Sequence, residues 1–170
     1  LRLNTGEILE CDRLLLATGS APEGHALAVS LGHTIVPPVP SLFTFDISDQ
    51  RLKGLAGVSI ENAKVKILDT NIEESGALLI THWGLSGPLI LKLSAWGARF
   101  LHEKNYQALI QINWSGVSHA EAVRQLMDFK RTHAKKTVAA HPLFQVPRRL
   151  WERLILEAGL APNHRWGDAS

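Results

Sequence analysis

The stretch Thr81–Trp96, THWGLSGPLILKLSAW, changes character halfway along. Its first half is small and polar, with two glycines, and its second half is mostly apolar. Ser86 is a candidate N-cap and Pro88 suits a first helical turn, so the stretch predicts a helix over 88–100. The amides that begin such a helix can bind an anion or a polarised oxygen, and the glycines would leave room for it. A capped and packed helix explains the same residues, and the residues alone favour that interpretation.

The segments on either side of this stretch are rich in short apolar runs separated by charged or glycine-containing turns. These runs predict strands at 42–45, 57–60, 63–67, 77–80 and 106–114. Strands at this spacing indicate a small barrel or sandwich. We therefore expect a β-rich subdomain with one helix over residues 36–116.

Residues 117–170 are predicted to form a helical subdomain. Ser118 to Glu121 fits a capping box, in which the serine accepts from a backbone amide and the glutamate reaches back. Pro147 is suited to the first turn of a second helix that ends at Gly159. The buried stripe of that helix is predicted to consist of Leu150, Trp151, Leu154 and Ile155.

The first 35 residues carry a different pattern. A short apolar run at 13–17 predicts a strand that is covered on both faces, and Thr18-Gly19-Ser20 follows it as a turn. Such a turn is where doubly wound sheets place ligands, because glycine lets a phosphate or ring approach the backbone. A strand end that needs a tight turn explains it equally, and the motif alone favours that. A short helix is predicted over 24–31, and the prolines at 37, 38 and 40 indicate an extended crossover.

Composition excludes several classes of protein. The chain has 170 residues, and its 18 basic and 16 acidic side chains give a net charge of +2, which argues against a dedicated nucleic-acid binder. Cys11 is the single cysteine, which excludes an internal disulfide and favours a cytoplasmic location. The histidines show no zinc-ligand spacing, and no apolar run reaches the roughly 20 residues of a membrane span. We expect no metal site and no membrane association.

Several phrases, taken in order, resemble one family. They are LLLATGS, GHALAVSLGHTIVPPVPSLFTF, LAGVSI, THWGLSGPLILKLSAW and VPRRLWERLILEAG. Together they resemble the BaiN/YhiN-type flavoproteins, which are NAD(P)/FAD-dependent oxidoreductases. The resemblance implies an α+β chain: residues 1–35 are the end of a Rossmann-like FAD-binding segment, and the rest is an insert with a small β-barrel-like part and a helical part.

The resemblance also implies a site. It makes Ala17, Thr18, Gly19 and Ser20 cofactor-proximal, although the family usually has two glycines where this chain has Gly19 and Ser20. It makes His82 and Ser86 the candidate catalytic residues, and places Trp83, Gly84 and Gly87 on a substrate-facing loop.

The ends of the chain suggest a piece of a longer protein. Leu1 is not an initiator methionine, and the family's glycine-rich FAD loop is not matched anywhere in the chain. We therefore expect FAD in the parent protein, NAD(P)H as its electron donor, and neither bound FAD nor activity in this piece alone.

The expected partners follow from the same resemblance. They are an unidentified small-molecule substrate and the flanking segments of the same protein, and no nucleic acid is expected. A non-catalytic module is the alternative, in which the basic helical face and the tryptophans recruit a protein or another macromolecule.

Overall fold

A computed structural model describes residues 1–169, which form two compact units that divide between Pro38 and Val39. In the first unit α1, Pro22–Ser30, has proline in its first turn and is followed by Gly32 at φ 90°. The predicted helix is thus confirmed, two residues earlier than expected. Arg2 and Ile8 form an isolated antiparallel bridge.

The strand predicted over 13–17 is wrong. These residues have no regular secondary structure, and Leu15 is 87% exposed. A strand is defined by hydrogen bonds to a neighbouring backbone, and no described residue pairs with this run. An apolar run alone cannot supply that partner.

The second unit is built on a curled antiparallel sheet with the strand order β1-β4-β3-β2-β5. The strands are β1 (Phe45–Asp46), β2 (Ser59–Ile67), β3 (Glu73–Ile80), β4 (Gly84–Ser86) and β5 (Ile110–Asn113). The two runs predicted at 57–60 and 63–67 form the single strand β2, whose register shifts between Ile60 and Ala63. The strand predicted over 106–114 is shorter because Tyr106 has a φ of 59°, which extended backbone does not allow.

Two helices follow β4 directly. They are α2 (Pro88–Trp96) and α3 (Ala98–Glu103), so the single predicted helix is broken at Gly97. A Cβ atom at Gly97 would lie 2.6 Å from Ile67 Cδ1, which shows how closely the helix pair approaches the sheet. The core lies between α2 and the sheet, where Leu89, Ile90 and Leu93 are almost completely buried.

The helical part contains α4 (His119–Thr132) and α5 (Arg148–Glu157), separated by irregular residues 133–147. Ser118 Oγ accepts from the Glu121 amide at 3.2 Å, but the Glu121 carboxylate binds Arg124 and Gln125 and does not reach back. Half of the capping box therefore forms. Within residues 1–169, no helix combines the length and the hydropathy that crossing a membrane requires.

The predicted stripe of α5 is largely confirmed: Leu150, Trp151 and Ile155 are buried, and Leu154 is half-buried. Arg153 of the same helix donates to the carbonyls of Gln50 and Lys53, at 3.0 and 3.1 Å. These bonds join α5 to the 3₁₀ turn that follows β1.

Candidate functional site

The turn between β3 and β4 is held by three hydrogen bonds. The Thr81 amide donates to the Gly84 carbonyl at 2.8 Å, and the Gly84 amide donates to Thr81 Oγ1 at 3.1 Å. The Ile47 amide donates to the Trp83 carbonyl at 2.9 Å, which fixes the turn to the residues just after β1. The backbone of residues 81–84 is therefore defined before any ligand arrives.

The two glycines of the stretch are explained by packing. A Cβ atom at Gly84 would lie 2.1 Å from the Phe45 carbonyl oxygen, and one at Gly87 would lie 3.0 Å from the Ala77 carbonyl oxygen. Only a residue without a side chain allows these strands to approach so closely. The space beside both glycines is thus filled by neighbouring backbone, and the open approach expected from the sequence does not lie there.

Ser86 has a different place from the one predicted. It is the last residue of β4, opposite Leu79, and Gly87 is the N-cap of α2, with no side chain bonded to the helix start. The prediction of Ser86 as the N-cap is therefore wrong, because the strand continues one residue further than expected. Pro88 does occupy the first turn as predicted. The Ser86 side chain is half-buried at the rim of the sheet.

His82 and Trp83 stand out from the turn. Both are exposed, Trp83 to 60%, while Gly84 and Leu85 directly after them are buried. The structure therefore brings together the predicted residues of 82–87 along one strand end, with the two ring-bearing side chains toward solvent. Such an arrangement can contact a ligand but does not by itself define a reaction.

The other predicted residues, Ala17 to Ser20, belong to the first unit. All four are exposed, and Gly19 has a φ of 59° with no atom within 4 Å of the position a Cβ would take. The Thr18 side chain lies against Gly24, where a Cβ would be 1.8 Å from Thr18 Oγ1. The space beside Gly19 is thus open to a ligand, as close contact with a cofactor requires, whereas the Thr18 carbonyl already accepts from the Ala21 amide at 3.3 Å.

Two ion pairs outside the turn at 81–87 shift the pKa of a carboxyl group. Hydrogen bonds from Arg51 lower the pKa of Asp49, and hydrogen bonds from Arg124 lower the pKa of Glu121. No group of three or more metal-ligating side chains occurs in the described part of the chain.

The basic residues of α5 are mostly engaged. Arg148 Nε donates to Glu152 Oε1 at 2.7 Å, and Arg149 donates to the Gly54 carbonyl. With Arg153 bonded to the neighbouring turn, these three guanidinium groups are committed to contacts within the chain. Binding of a partner by this basic face stays a prediction.

A groove that sequence reasoning missed lies between β1 and β5, the two edge strands of the sheet. Its volume is about 870 Å³, and it is lined by residues 46–52, Leu68, 108–112, Trp114 and, from α5, Leu150, Arg153 and Leu154. These residues come from four separate segments of the sequence, and nothing in it shows which strands lie at the edges of the sheet.

The second unit is an α+β domain in which a curled antiparallel half-barrel is joined to helices. Residues 39–170 match the family described as "HI0933-like protein barrel and H2TH domain", and the chain therefore belongs to this family of FAD-dependent oxidoreductases. The resemblance inferred from the sequence motifs is thus confirmed, as is the α+β fold class.

Three curated relatives share this region. The chain is 28% identical over 141 residues to a 3-dehydro-bile acid delta(4,6)-reductase of Clostridium scindens, covering 77% of this chain and 34% of the relative. It is 32% identical over 95 residues to a ribosomal RNA dihydrouridine synthase of Haemophilus influenzae, covering 50% and 23%. It is 27% identical over 164 residues to the enzyme of that name from Escherichia coli, covering 88% and 37%. The chain thus spans about a third or less of each relative.

Proposed function

We propose that this chain is the substrate-facing part of a flavin-dependent reductase that saturates a ring carbon–carbon double bond. The observation that carries the proposal is the fixed turn at 81–84, which presents His82 to solvent on the domain that matches the family. The names of the relatives supply the reaction class. A 3-dehydro-bile acid delta(4,6)-reductase and a dihydrouridine synthase both act on a ring double bond that is conjugated with a carbonyl group.

The cofactor of the proposal is FAD, with NAD(P)H as the electron donor. A bound flavin supplies the hydride chemistry, and the protein supplies binding, orientation and proton positions. The open space beside Gly19 is the proposed place of contact with the cofactor, together with the neighbouring Ala17, Thr18 and Ser20.

His82 and Ser86 have the proposed roles at the substrate. Saturation of a double bond requires a proton at one of its carbons, and an imidazole N–H is a suitable donor of that proton. His82 is the residue on the turn that carries an imidazole, and its ring is exposed. The half-buried Ser86 hydroxyl can donate a hydrogen bond to the substrate carbonyl. A carbonyl that is polarised in this way makes the conjugated double bond a better acceptor of hydride.

The experiment uses the protein that contains this chain with its flanking segments. We expect it to purify with flavin, to be reduced by NADH or NADPH under anaerobic conditions, and to be reoxidised by a steroid enone or by a uridine-containing RNA. His82→Ala should lower the rate of reoxidation roughly 100-fold or more, the size of a lost general acid, without changing flavin content. His119→Ala, which removes an exposed histidine from α4, is the matched control. A protein without flavin would refute the proposal, and equal rates in both variants would refute the role of His82.

The isolated chain completes the proposal. Because it spans at most 37% of its relatives, we propose that it lacks a complete cofactor site and is inactive alone. Its absorbance spectrum after purification should show no stoichiometric flavin band, and a band at one flavin per chain would contradict this. Its location is proposed to be cytoplasmic, in keeping with its single, exposed and free cysteine.

A further inference from the structure

We infer that the indole of Trp83 is a stacking surface for a planar conjugated ring. The inference rests on the proposed function, since the ring belongs either to the flavin or to the unsaturated substrate. The isoalloxazine of a flavin and the uracil of a uridine are both flat and conjugated, so one indole face suits either, and the experiment separates them.

The tryptophans of the second unit divide into packed and exposed rings. Trp151 and Trp166 are 8% and 4% exposed, and their rings stack with centroids 6.3 Å apart. Trp83 is 60% exposed, and its ring belongs to neither the core cluster nor any aromatic pair among residues 1–169. Its indole thus adds little to the packing of the described chain, which leaves its large apolar surface for another contact.

The backbone that carries Trp83 is held more firmly than an exposed loop needs. Three hydrogen bonds fix residues 81–84, one of them accepted by the Trp83 carbonyl itself. Gly84 packs against β1, since a Cβ atom at this position would lie 2.1 Å from the Phe45 carbonyl oxygen. An aromatic ring with two side-chain torsions on a fixed backbone loses little conformational entropy when it binds. A small loss of conformational entropy on binding is expected of a ring that recognises a ligand.

Trp96 provides the contrast within the same stretch. It is 73% exposed at the C-terminal end of α2, one turn or more beyond the residues proposed to act on substrate. Exposure alone therefore does not distinguish the two rings. The distinction is that Trp83 lies on the turn at 81–84, whose backbone is held by three hydrogen bonds and which also carries the exposed His82. Trp96 is consequently the matched control.

The first test uses the isolated 170-residue chain and is independent of activity. The indole N–H signals of the isotope-labelled chain are followed by NMR while FMN, or separately uridine, is added, and Trp83→Phe and Trp96→Phe assign the two exposed rings. We expect the Trp83 signal to move and the Trp96 signal to stay. A response to FMN identifies the flavin as the stacking partner, and a response to uridine identifies the substrate. The inference would be overturned if the Trp83 signal moved with neither FMN nor uridine, or if the Trp96 signal moved as much as the Trp83 signal.

The second test uses the flavin-loaded protein with its flanking segments. If the ring is that of the substrate, Trp83→Ala should raise KM roughly 5- to 100-fold at unchanged kcat, the range of a lost aromatic stack. If it is that of the flavin, the same variant should weaken flavin binding by a similar factor. Trp83→Phe should restore most of either effect, and Trp96→Ala should change neither. Should the wild type carry no flavin, the proposed function fails, while the NMR titration with uridine still decides whether Trp83 binds a ring.

Discussion

Ser94 is the one buried polar side chain among the described residues, and its hydroxyl connects α2 to the segment that leads into β1. Its Oγ accepts from the Phe43 amide at 3.0 Å and donates to the Leu91 carbonyl at 2.9 Å, and the residue is 0% exposed. Ser94→Ala removes the acceptor and leaves the Phe43 amide without that partner. An unsatisfied donor in a partly buried place costs about 1–3 kcal/mol.

The expected loss follows from these terms. The better helix propensity of alanine returns about 0.5 kcal/mol, and the bond to Leu91 is local within the helix. The free energy of unfolding should therefore fall by about 1.5 kcal/mol. For a chain of this size that is a fall in Tm of about 3–6 °C.

The assay is urea unfolding followed by tryptophan fluorescence. All five tryptophans lie beyond residue 38, so the signal reports the second unit alone. The transition midpoint should fall at an unchanged m-value. Ser59→Ala, at an exposed position of β2, is the control and should leave the midpoint in place. A loss of less than about 0.5 kcal/mol for Ser94→Ala would refute the role given to its hydroxyl.

Three further predictions concern other contacts within the second unit. Gly84→Ala should destabilise the second unit by about 3 kcal/mol or more, since its Cβ would lie 2.1 Å from a carbonyl oxygen. Gly54→Ala is the control and should cost about 1 kcal/mol, because its Cβ meets open space at a φ of 79°. The urea midpoints of the two variants are compared, and equal losses would contradict the packing argument. Arg153→Ala should lower the Tm by several degrees, because carbonyls of the turn at 50–53 lose their donor. Arg148→Ala breaks only an exposed ion pair and should leave the Tm in place. Thermal unfolding compares the two variants, and a larger loss of Tm for Arg148→Ala would be inconsistent with these contacts. Hydrogen bonds from Arg51 depress the pKa of Asp49 in the folded state, so the ionised carboxylate contributes stability above its unfolded pKa of about 4, and this contribution is lost as pH falls through the folded pKa. Asp49→Asn should therefore flatten the fall of the urea midpoint below a pH of about 4. An unchanged slope of midpoint against pH in this variant would count against the role of Asp49.

The features that the sequence predicted well depend on a few neighbouring residues. Ser118 begins α4, Pro88 lies in the first turn of α2, and Pro147 precedes α5, because capping and the fixed φ of proline act within one helical turn. The family motifs likewise led to the correct family. Local chemistry and local order coincide in these places.

The features that failed depend on distant partners. The run at 13–17 has the composition of a strand but no paired backbone, and two predicted runs proved to be one strand with a register shift. Gly97 did carry a signal, since a glycine within a helical pattern lowers the helix propensity, and it marks the break between α2 and α3. The groove between β1 and β5 depends on strand order, which periodicity does not encode.

The contacts of α5 with the turn at 50–54 have a consequence for how this region can vary. Arg149 and Arg153 bind backbone carbonyls there, and every residue type provides the same carbonyl. Exposed positions such as Gln50 and Lys53 can therefore change without loosening the joint between helix and barrel. The same turn forms one wall of the groove, so the side chains on this wall can change while its backbone keeps its position. Different side-chain chemistry in the groove is thus compatible with one shape, because the arginines bind main-chain atoms.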